Sequence, residues 1–189
     1  MRVISGTARG TKLAAPRGAA TRPTTDRIKE TLFNIIAPRL TEGCLVLDLF
    51  AGSGALGIEA LSRGAGYAVF VDNSPEACAC IARNLRQTKL AERAAVLKQD
   101  FDRGLAQLSR TGEIKGKCFD LVFIDPPYQQ GYEEKTLAGL AKQRYIGGDT
   151  LIVLETAADT DFTHSMKEVF CIEREKVYKV NKHLFVRRR

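Results

Sequence analysis

The residues with the most specific chemistry are Asp125-Pro126-Pro127-Tyr128, which follow a short apolar run. The two prolines restrict Asp125 to extended geometry, so its carboxylate and the Pro126 carbonyl can point outward together. The exocyclic amine of a nucleobase is a poor nucleophile because its lone pair is delocalised into the ring. Two acceptors holding its N–H groups would align that lone pair for attack, while Tyr128 would stack on the base. On these four residues alone, a strand that ends in a polar loop is the alternative.

A glycine-rich segment, Asp48-Leu-Phe-Ala-Gly-Ser-Gly-Ala-Leu-Gly57, follows the first strand of the predicted sheet and opens a helix. Gly52 and Gly54 allow a ligand to approach the backbone closely at a helix N-terminus. Asp72 comes twenty residues after Gly52, at the end of the next strand, where a carboxylate can bind ribose hydroxyls. This order predicts a nucleoside-cofactor site, against the alternative of a tight turn and a capping carboxylate.

Asp48 distinguishes between the cofactors that such a turn can bind. It stands four residues before Gly52, where a dinucleotide would bring its pyrophosphate, and a carboxylate there would repel phosphate. The positively charged sulfonium and ammonium groups of S-adenosylmethionine would instead be attracted to it. Asp100 and Phe101 follow the third predicted strand and would meet an adenine amino group and ring face; by themselves they are more typical of a helix cap and a core aromatic.

The chain as a whole has the composition of one globular domain. It has 189 residues, of which 44% are hydrophobic and 27% charged, and it contains no long apolar run. This composition excludes disordered, collagen-like and membrane-spanning proteins, and an opening without an apolar signal core predicts a cytoplasmic protein. The five cysteines, an odd number, favour reduced thiols over disulfides. Their spacing from the two histidines predicts no metal site.

Short apolar runs alternate with helical stretches from residue 44 onwards. This alternation predicts parallel strands joined by helical crossovers, that is, a doubly wound α/β sheet. The last two runs leave no room for a helix between them and predict an antiparallel hairpin at the far edge. The preceding residues predict a short hairpin over 2–13 and an amphipathic helix over 24–36. The predicted strands are 44–49, 67–71, 94–98, 119–124, 150–154, 169–178 and 183–186, and the helices between them lie near 55–63, 75–89, 102–109 and 133–144.

Basic charge is concentrated at the two ends of the chain. Residues 1–40 contain eight lysines and arginines against two acidic residues, and residues 173–189 contain seven against two. A localised basic patch is typical of proteins that bind a polyanion, with a solubilising surface as the alternative. Neither histidine lies near a motif, so we expect His164 and His183 at the surface. The side chains expected to contact phosphate or to close over the cofactor are Arg9, Arg22, Arg27 and Lys29.

These motifs together resemble a known family. Asp48–Gly57 with Asp125–Tyr128 is similar to the S-adenosylmethionine-dependent methyltransferases that modify exocyclic amino groups. The segments 21–34 and 50–63 resemble one branch of them, the RsmD family of bacterial 16S rRNA guanine-N2 methyltransferases. The likeness spans nearly the whole chain. Because DNA adenine-N6 methyltransferases also carry Asp-Pro-Pro-Tyr, the segment Arg22-Pro-Thr-Thr-Asp-Arg27 is what selects the rRNA branch.

The resemblance implies a Rossmann-like sheet of seven strands, mostly parallel, that ends in the antiparallel hairpin. It implies a basic extension over 1–40 packed on a methyltransferase domain over 41–189, and a monomer that uses S-adenosylmethionine without metal. The implied substrate is the N2 amine of one guanine of 16S rRNA, guanine-966 in that family, within the assembled small ribosomal subunit. Asp125, Pro126, Pro127 and Tyr128 would hold the target base. The implied cofactor-binding residues are Thr24, Asp48, Phe50, Gly52, Gly54, Asp72, Asn73, Asp100 and Phe101.

Three other functions are compatible with parts of the sequence. An NAD-dependent dehydrogenase uses a similar glycine turn, but Asp48, Asp125–Tyr128 and the lack of room for a substrate domain count against it. A non-catalytic rRNA assembly factor on the same fold would not need an intact Asp125–Tyr128 motif. An adenine-N6 methyltransferase acting on DNA or RNA would share the chemistry and differ in the nucleoside formed.

Overall fold

The computed structural model describes residues 1–16, 25–108, 114–127, 131–161 and 164–189. Within these residues, strands and helices alternate from β1 to β5 as predicted. The strands are β1 (Leu45–Leu49), β2 (Tyr67–Asp72), β3 (Ala94–Lys98), β4 (Leu121–Ile124), β5 (Leu151–Ala157), β6 (Phe170–Val177) and β7 (Asn181–Arg188). The helices are α1 (Asp26–Ile36), α2 (Ala55–Ser62), α3 (Pro75–Gln87), α4 (Phe101–Leu108), α5 (Tyr132–Ala141) and α6 (His164–Val169).

All seven strands form one sheet in the order β3-β2-β1-β4-β5-β7-β6. The five strands from β3 to β5 in this order are parallel, and β7 runs antiparallel to both β5 and β6. The predicted doubly wound, mostly parallel sheet with a terminal antiparallel hairpin is therefore confirmed. The strand order reverses between β1 and β4, and open α/β sheets bind ligands beyond the carboxyl ends of the strands at such a point.

The sheet separates two hydrophobic cores because alternate side chains of a strand point to opposite faces. Phe123 and Val153 belong to the core covered by α1, α2 and α3, which we call the α1–α3 face. Ile124 and Leu154 belong to the core covered by α4 and α5, the α4–α5 face. The residue after Ile124 and the residue after Leu154 thus return to the α1–α3 face at the carboxyl edge of the sheet.

Strand β5 is longer than its apolar run predicts. The predicted strand ends at residue 154, but its antiparallel pairing with β7 carries it on to Ala157. The neighbouring strand satisfies the backbone of the added residues, which therefore need no apolar character of their own. The added pairs are Glu155 with His183, Thr156 with Lys182 and Ala157 with Asn181.

The N-terminal segment is fixed to the helices by a buried carboxylate on α2. Glu59, which is fully buried, accepts hydrogen bonds from the backbone nitrogens of Ile4 at 2.8 Å and Ser5 at 3.0 Å. The Lys29 ammonium of α1 lies 3.1 Å from Glu59, and the guanidinium of Arg63 lies 2.8 Å from it. A buried charge is tolerated only when paired in this way, so these contacts hold the start of the chain, around Ile4 and Ser5, against α1 and α2.

The remaining differences from the predicted elements are local. The predicted N-terminal hairpin is a single antiparallel bridge between Arg2 and Lys12. Helix α1 begins at Asp26, and the side chain of Thr25 caps it by accepting a hydrogen bond from the backbone nitrogen of Ile28. Helix α6 was not predicted. Of the helices described, none is both long and apolar enough to cross a membrane.

Candidate active site

The chain passes from β1 to α2 through a turn with left-handed backbone. Phe50, Gly52 and Gly54 have φ values of 58°, 55° and 74°, a conformation that glycine adopts without steric cost and that Phe50 adopts at a cost of about 1 kcal/mol. At the end of β2, Asp72 accepts a hydrogen bond at Oδ2 from the backbone nitrogen of Gly52 at 2.8 Å. The predicted cofactor turn and the predicted ribose-binding carboxylate are therefore in direct contact.

Asp48 lies beneath this turn on β1 and is only 2% exposed. Its Oδ2 accepts a hydrogen bond from the backbone nitrogen of Gly57 at 2.9 Å. Gly57 is required there, because a Cβ atom would lie 2.4 Å from the ring of Phe70. Burial raises the pKa of Asp48 to about 7, and the charge of Asp72 adds to that shift. Asp48 has no ion-pair partner among the described lysines, arginines and histidines, so it is a buried carboxylate suited to a cationic ligand.

Asp72 at the end of β2 is connected through the neighbouring Asn73 to Asp100, which lies two residues beyond the end of β3. Asp72 accepts a second hydrogen bond at Oδ1 from the backbone nitrogen of Ser74 at 2.9 Å. The side-chain amide of Asn73 donates to Asp100 Oδ1 at 2.9 Å. Asn73 and Asp100 are both exposed. The structure therefore brings together the carboxylates predicted to bind ribose and adenine.

Three aromatic rings cluster at the same edge. The ring centroids of Phe50 and Phe101 are 5.6 Å apart, and Tyr132 of α5 lies 5.6 Å from Phe50 and 5.8 Å from Phe101. All three rings are partly exposed, so they offer an apolar surface beside Asp100. Phe50 and Phe101 were predicted as cofactor contacts, whereas Tyr132 was not.

Asp125 is the first residue after β4, the strand that pairs with β1 at the reversal of strand order. Burial raises the pKa of Asp125 well above its usual range, and the nearby carboxylates of Glu155 and Asp48 raise it further. Pro126 is buried and Pro127 is exposed. Tyr128 lies outside the described residues, as does Thr24. The described part of the motif thus places a carboxylate and a proline carbonyl next to the strand that carries Asp48.

Glu155 and His183 extend the polar cluster beyond Asp125. His183 Nε2 lies 3.0 Å from Glu155 Oε2, and Asn181 donates to the other oxygen of Glu155. The prediction that His183 lies at the surface is wrong, because the residue is 1% exposed and lies between β5 and Tyr178. The side chain of His164 is not among those described. The described residues contain no group of three or more His, Cys, Asp or Glu side chains arranged to bind a metal.

The four predicted RNA-contacting residues do not form one group. Arg27 is exposed on the first turn of α1, next to Asp26, which is linked to Arg2. Arg9 is also exposed, but its turn packs on the last residue of α2, at the opposite edge of the sheet from Asp125. Lys29 is 1% exposed and donates to the Arg2 carbonyl. Its ammonium is occupied by Glu59, so the prediction of phosphate contact by Lys29 is wrong; Arg22 lies outside the described residues.

Three residues at this edge, Glu155, His183 and Tyr132, are not among the predicted site residues. Glu155 could have been found by the rule that selected Asp72 and Asp125, since it too directly follows an apolar run that forms a parallel strand. No local sequence pattern marks His183 as a site residue, because its position depends on the register between β5 and β7. Tyr132 could not be predicted because it reaches the other rings only through the packing of α5.

Comparisons with known proteins cover nearly the whole chain. The family model described as "Conserved hypothetical protein 95" matches residues 1–186. The Bacillus subtilis protein named "Putative rRNA methyltransferase YlbH" is 38% identical over 176 residues, which are 93% of this chain and 92% of that protein. The Escherichia coli K12 protein named "Ribosomal RNA small subunit methyltransferase D" is 37% identical over 177 residues, which are 94% of this chain and 84% of that protein.

A solved structure agrees with these matches. The structure titled "Putative methyltransferase yhhF from Escherichia coli" superimposes with a TM-score of 0.82 at 34% identity, covering 100% of this chain and 97% of the other. Agreement in sequence and fold over this length identifies common descent. The chain belongs to the conserved hypothetical protein 95 family, the RsmD family that its motifs resemble.

Proposed function

We propose that the protein transfers a methyl group from S-adenosylmethionine to the exocyclic N2 of a guanine in small-subunit rRNA. The observation that carries the proposal is the pairing of β1 with β4 at the reversal of strand order. Asp48 pairs with Phe123, two residues before Asp125. A ligand held by the turn after β1 and an amine held by the motif after β4 would therefore meet at the same edge.

The residues at this edge fit S-adenosylmethionine. Asp48 is a buried carboxylate without a cationic partner among the described side chains, and it would face the positive charge of the ligand. Asp72 would accept hydrogen bonds from the ribose hydroxyls with its remaining lone pairs. Asp100 would bind the adenine amino group, with Phe50 and Phe101 packing beside the adenine ring. When bound, this cofactor supplies a methyl group on a positively charged sulfur.

The motif after β4 would orient the amine. The Asp125 carboxylate and the Pro126 carbonyl would each accept one N–H of the guanine amine and direct its lone pair at the methyl carbon. As the new bond from nitrogen to the methyl carbon forms, the bond from that carbon to the cofactor's sulfur would break, and the nitrogen would pass the proton of the N–H that points at Asp125 to that carboxylate. Burial and the neighbouring carboxylates raise the pKa of Asp125, which makes it a better acceptor for that proton.

The names of the relatives and the distribution of charge favour rRNA as the substrate. The Escherichia coli relative is named as a small-subunit rRNA methyltransferase, and basic residues are concentrated in the first forty positions of this chain. Among them, Arg27 on α1 and Lys12 near Met1 are exposed. Met1 contacts Ser53 of the cofactor turn, so this basic surface borders the proposed site and would contact phosphates around the target base.

Methyl transfer from labelled S-adenosylmethionine tests the proposal. Unmodified small ribosomal subunits and the 16S rRNA extracted from them are each incubated with the protein and digested to nucleosides. We expect labelled N2-methylguanosine. The substrate that incorporates more label, the subunit or the extracted rRNA, is the one in which the target base is accessible to the protein. An Asp125→Ala variant serves as the control for a contaminating activity, because it should bind the cofactor without turnover.

Other outcomes of this experiment contradict the proposal in different ways. Labelled N6-methyladenosine would support the same chemistry on adenine and overturn the guanine assignment. Binding of rRNA without consumption of the cofactor would favour a non-catalytic assembly factor. Tight binding of NAD in place of S-adenosylmethionine would favour a dehydrogenase.

A further inference from the structure

The outermost strand, β6, separates a run of alternating charges onto its two faces. The run is Glu173-Arg-Glu-Lys176, so its charges cancel in the sequence. In the sheet, Arg174 lies opposite Phe185, whereas Glu175 lies opposite Leu184. Phe185 belongs to the core on the α1–α3 face and Leu184 to the core on the α4–α5 face. Because side chains alternate along a strand, Arg174 and the lysine that ends the run point to the α1–α3 face.

The acidic residues of this run are paired within the sheet. Glu175 lies 3.3 Å from the ammonium of Lys182, and Glu173 lies 3.0 Å from the guanidinium of Arg187. Among the residues that the structure describes, neither basic residue of the run takes part in an ion pair or a side-chain hydrogen bond. One face of β6 therefore carries two positive charges that no described side chain neutralises.

The basic face of β6 is level with the proposed amine site. Lys176 lies opposite His183, which in turn lies opposite Glu155. Glu155 and Asp125 are the next residues after the last paired residues of β5 and β4. Asp125 and Lys176 thus belong to one row of the sheet and point to the same face, three strand spacings or about 14 Å apart.

The turn between β6 and β7 extends this surface beyond the sheet. The backbone nitrogen of Tyr178 donates to the carbonyl of Asn181 at 2.8 Å and closes the turn. The backbone nitrogen of Ala158, just after β5, donates to the carbonyl of Val180 at 3.3 Å. The turn therefore lies at the carboxyl edge of the sheet, and Lys179 is exposed within it. The β6 basic surface is defined here as Arg174, Lys176 and Lys179.

We propose that the β6 basic surface binds phosphates of the rRNA backbone, on the opposite side of the target base from Lys12 and Arg27. The strand that precedes Asp125 lies between β1, whose turn borders the N-terminal basic residues, and the β5-β7-β6 end of the sheet. Positive charges without internal partners attract phosphates, and such contacts fix the position of a nucleic acid without reading its sequence. The exposed carboxylates of Asp159 and Asp161, after β5, would keep the backbone on the β6 side of the turn.

This inference rests on the proposed function, because it takes rRNA as the polyanion. The salt dependence of rRNA binding in two matched triple variants tests it. Arg174→Gln/Lys176→Gln/Lys179→Gln removes the β6 basic surface. The control, Lys115→Gln/Lys117→Gln/Arg144→Gln, also removes one arginine and two lysines, all exposed and placed before β4 and β5 at the amino edge of the sheet.

The Kd for 16S rRNA extracted from small ribosomal subunits is measured by filter binding at several salt concentrations. Each lost phosphate contact flattens a plot of log K against log salt concentration by about 0.7 to 0.9, so the β6 variant should flatten it by roughly 2 to 2.5. The control variant should keep the wild-type slope. A wild-type slope in the β6 variant overturns the proposal, and so does an equal change in both variants, which would indicate a general attraction.

Two further measurements exclude other causes of a change in binding. Neither triple variant should alter the Tm or the Kd for S-adenosylmethionine, because the substituted side chains make no described contact with the core or the cofactor turn. Weaker binding to assembled subunits with unchanged binding to extracted rRNA would show contact with a ribosomal protein and overturn the assignment to RNA. If the β6 triple variant does not fold, Lys179→Glu in the turn replaces it, and unchanged rRNA binding by that variant contradicts the proposal.

Photocrosslinking tests the placement of the two basic surfaces on opposite sides of the base. We place p-benzoylphenylalanine either at Val180, exposed next to Lys179, or at Glu30, exposed one turn after Arg27 on α1. The two proteins should crosslink to different nucleotides of the rRNA, and crosslinks to the same nucleotides would overturn the placement.

Binding and crosslinking require no methyl transfer, so the two proposals can fail separately. A protein that binds rRNA through the β6 basic surface but methylates no guanine would overturn the proposed function alone. A protein that methylates guanine while its β6 variant keeps the wild-type salt slope would overturn the inference about β6 alone.

Discussion

Asp72 Oδ2 lies 2.8 Å from the backbone nitrogen of Gly52, so the carboxylate proposed to bind ribose also anchors the cofactor turn. Its other oxygen is held by the backbone nitrogen of Ser74. A carboxylate has about four lone-pair positions, and these two contacts leave some of them for hydroxyl donors. One side chain thereby links the end of β2 to the turn after β1, and the same side chain would contact the ligand.

Replacing Asp72 should weaken cofactor binding more than it slows chemistry. Asp72→Ala removes the anchor of Gly52 and the ribose acceptor together, and we expect the Kd for S-adenosylmethionine to rise by roughly 10- to 100-fold, the effect of one or two charged hydrogen bonds. At saturating cofactor kcat should stay within a few-fold, because neither contact changes as the methyl group moves. Isothermal titration calorimetry and initial rates measure the two effects. Asp102→Ala, which removes an exposed carboxylate from the first turn of α4, is the control.

Replacing Asp125 should slow chemistry more than it weakens cofactor binding. In Asp125→Asn the amide keeps one acceptor but turns a donor group towards the amine, and we expect kcat to fall by roughly 100-fold or more. The Kd for S-adenosylmethionine should change by less than a few-fold, since Asp125 is proposed to contact the base and not the cofactor. Single-turnover methylation and calorimetry on the same preparations provide the comparison. Near-normal turnover would remove Asp125 from the mechanism.

The contrast between Asp125 and His183 shows how far the sequence predicts this site. Asp48, Asp72 and Asp125 follow apolar runs directly, and the carboxyl ends of parallel strands share one edge, so their proximity is predictable from strand order alone. His183 reaches the same cluster only because β7 enters the sheet antiparallel to β5, in a register that no local pattern specifies. The prediction for Lys29 is wrong for a related reason. A basic side chain on an amphipathic helix predicts exposure, but Glu59 on another helix binds Lys29 in the interior.

Cofactor affinity should increase with pH. Burial raises the pKa of Asp48 to about 7, so the carboxylate is mostly protonated below that pH and ionised above it. A positively charged ligand is attracted only to the ionised form, and we expect the association constant to rise by up to about 10-fold between pH 6 and pH 8 and then level off. Asp48→Asn should bind more weakly and show no such rise. Calorimetric titrations at several pH values in buffers of equal ionic strength distinguish the two proteins.

The Asp48→Asn substitution should also stabilise the protein in the absence of cofactor. The pKa of Asp48 is raised from 3.8 to about 7 in the folded state, so the protonated form is favoured on folding. The stabilisation that comes from this raised pKa is fully present below about pH 4 and is lost as the pH rises through about 7. Asp48→Asn stays neutral and can still accept the hydrogen bond from Gly57. Its Tm should therefore exceed that of the wild type at pH 8 by roughly 5 °C and match it near pH 4. Thermal melts of both proteins measure this difference. Equal Tm values at pH 8 would show that ionisation of Asp48 does not destabilise the folded protein.

Neutralising the basic surface beside the cofactor turn should reduce the salt dependence of rRNA binding. Lys12 and Arg27 are exposed near Met1 and the start of α1, whereas Lys115 and Lys117 are exposed before β4, at the amino edge of the sheet. In a plot of log K against log salt concentration, each lost phosphate contact flattens the slope by about 0.7 to 0.9. We expect Lys12→Ala/Arg27→Ala to flatten the slope by roughly 1.5, and Lys115→Ala/Lys117→Ala to leave it unchanged. Both double variants remove the same net charge, so a general electrostatic attraction would flatten the two slopes equally, and only contact at the proposed site separates them.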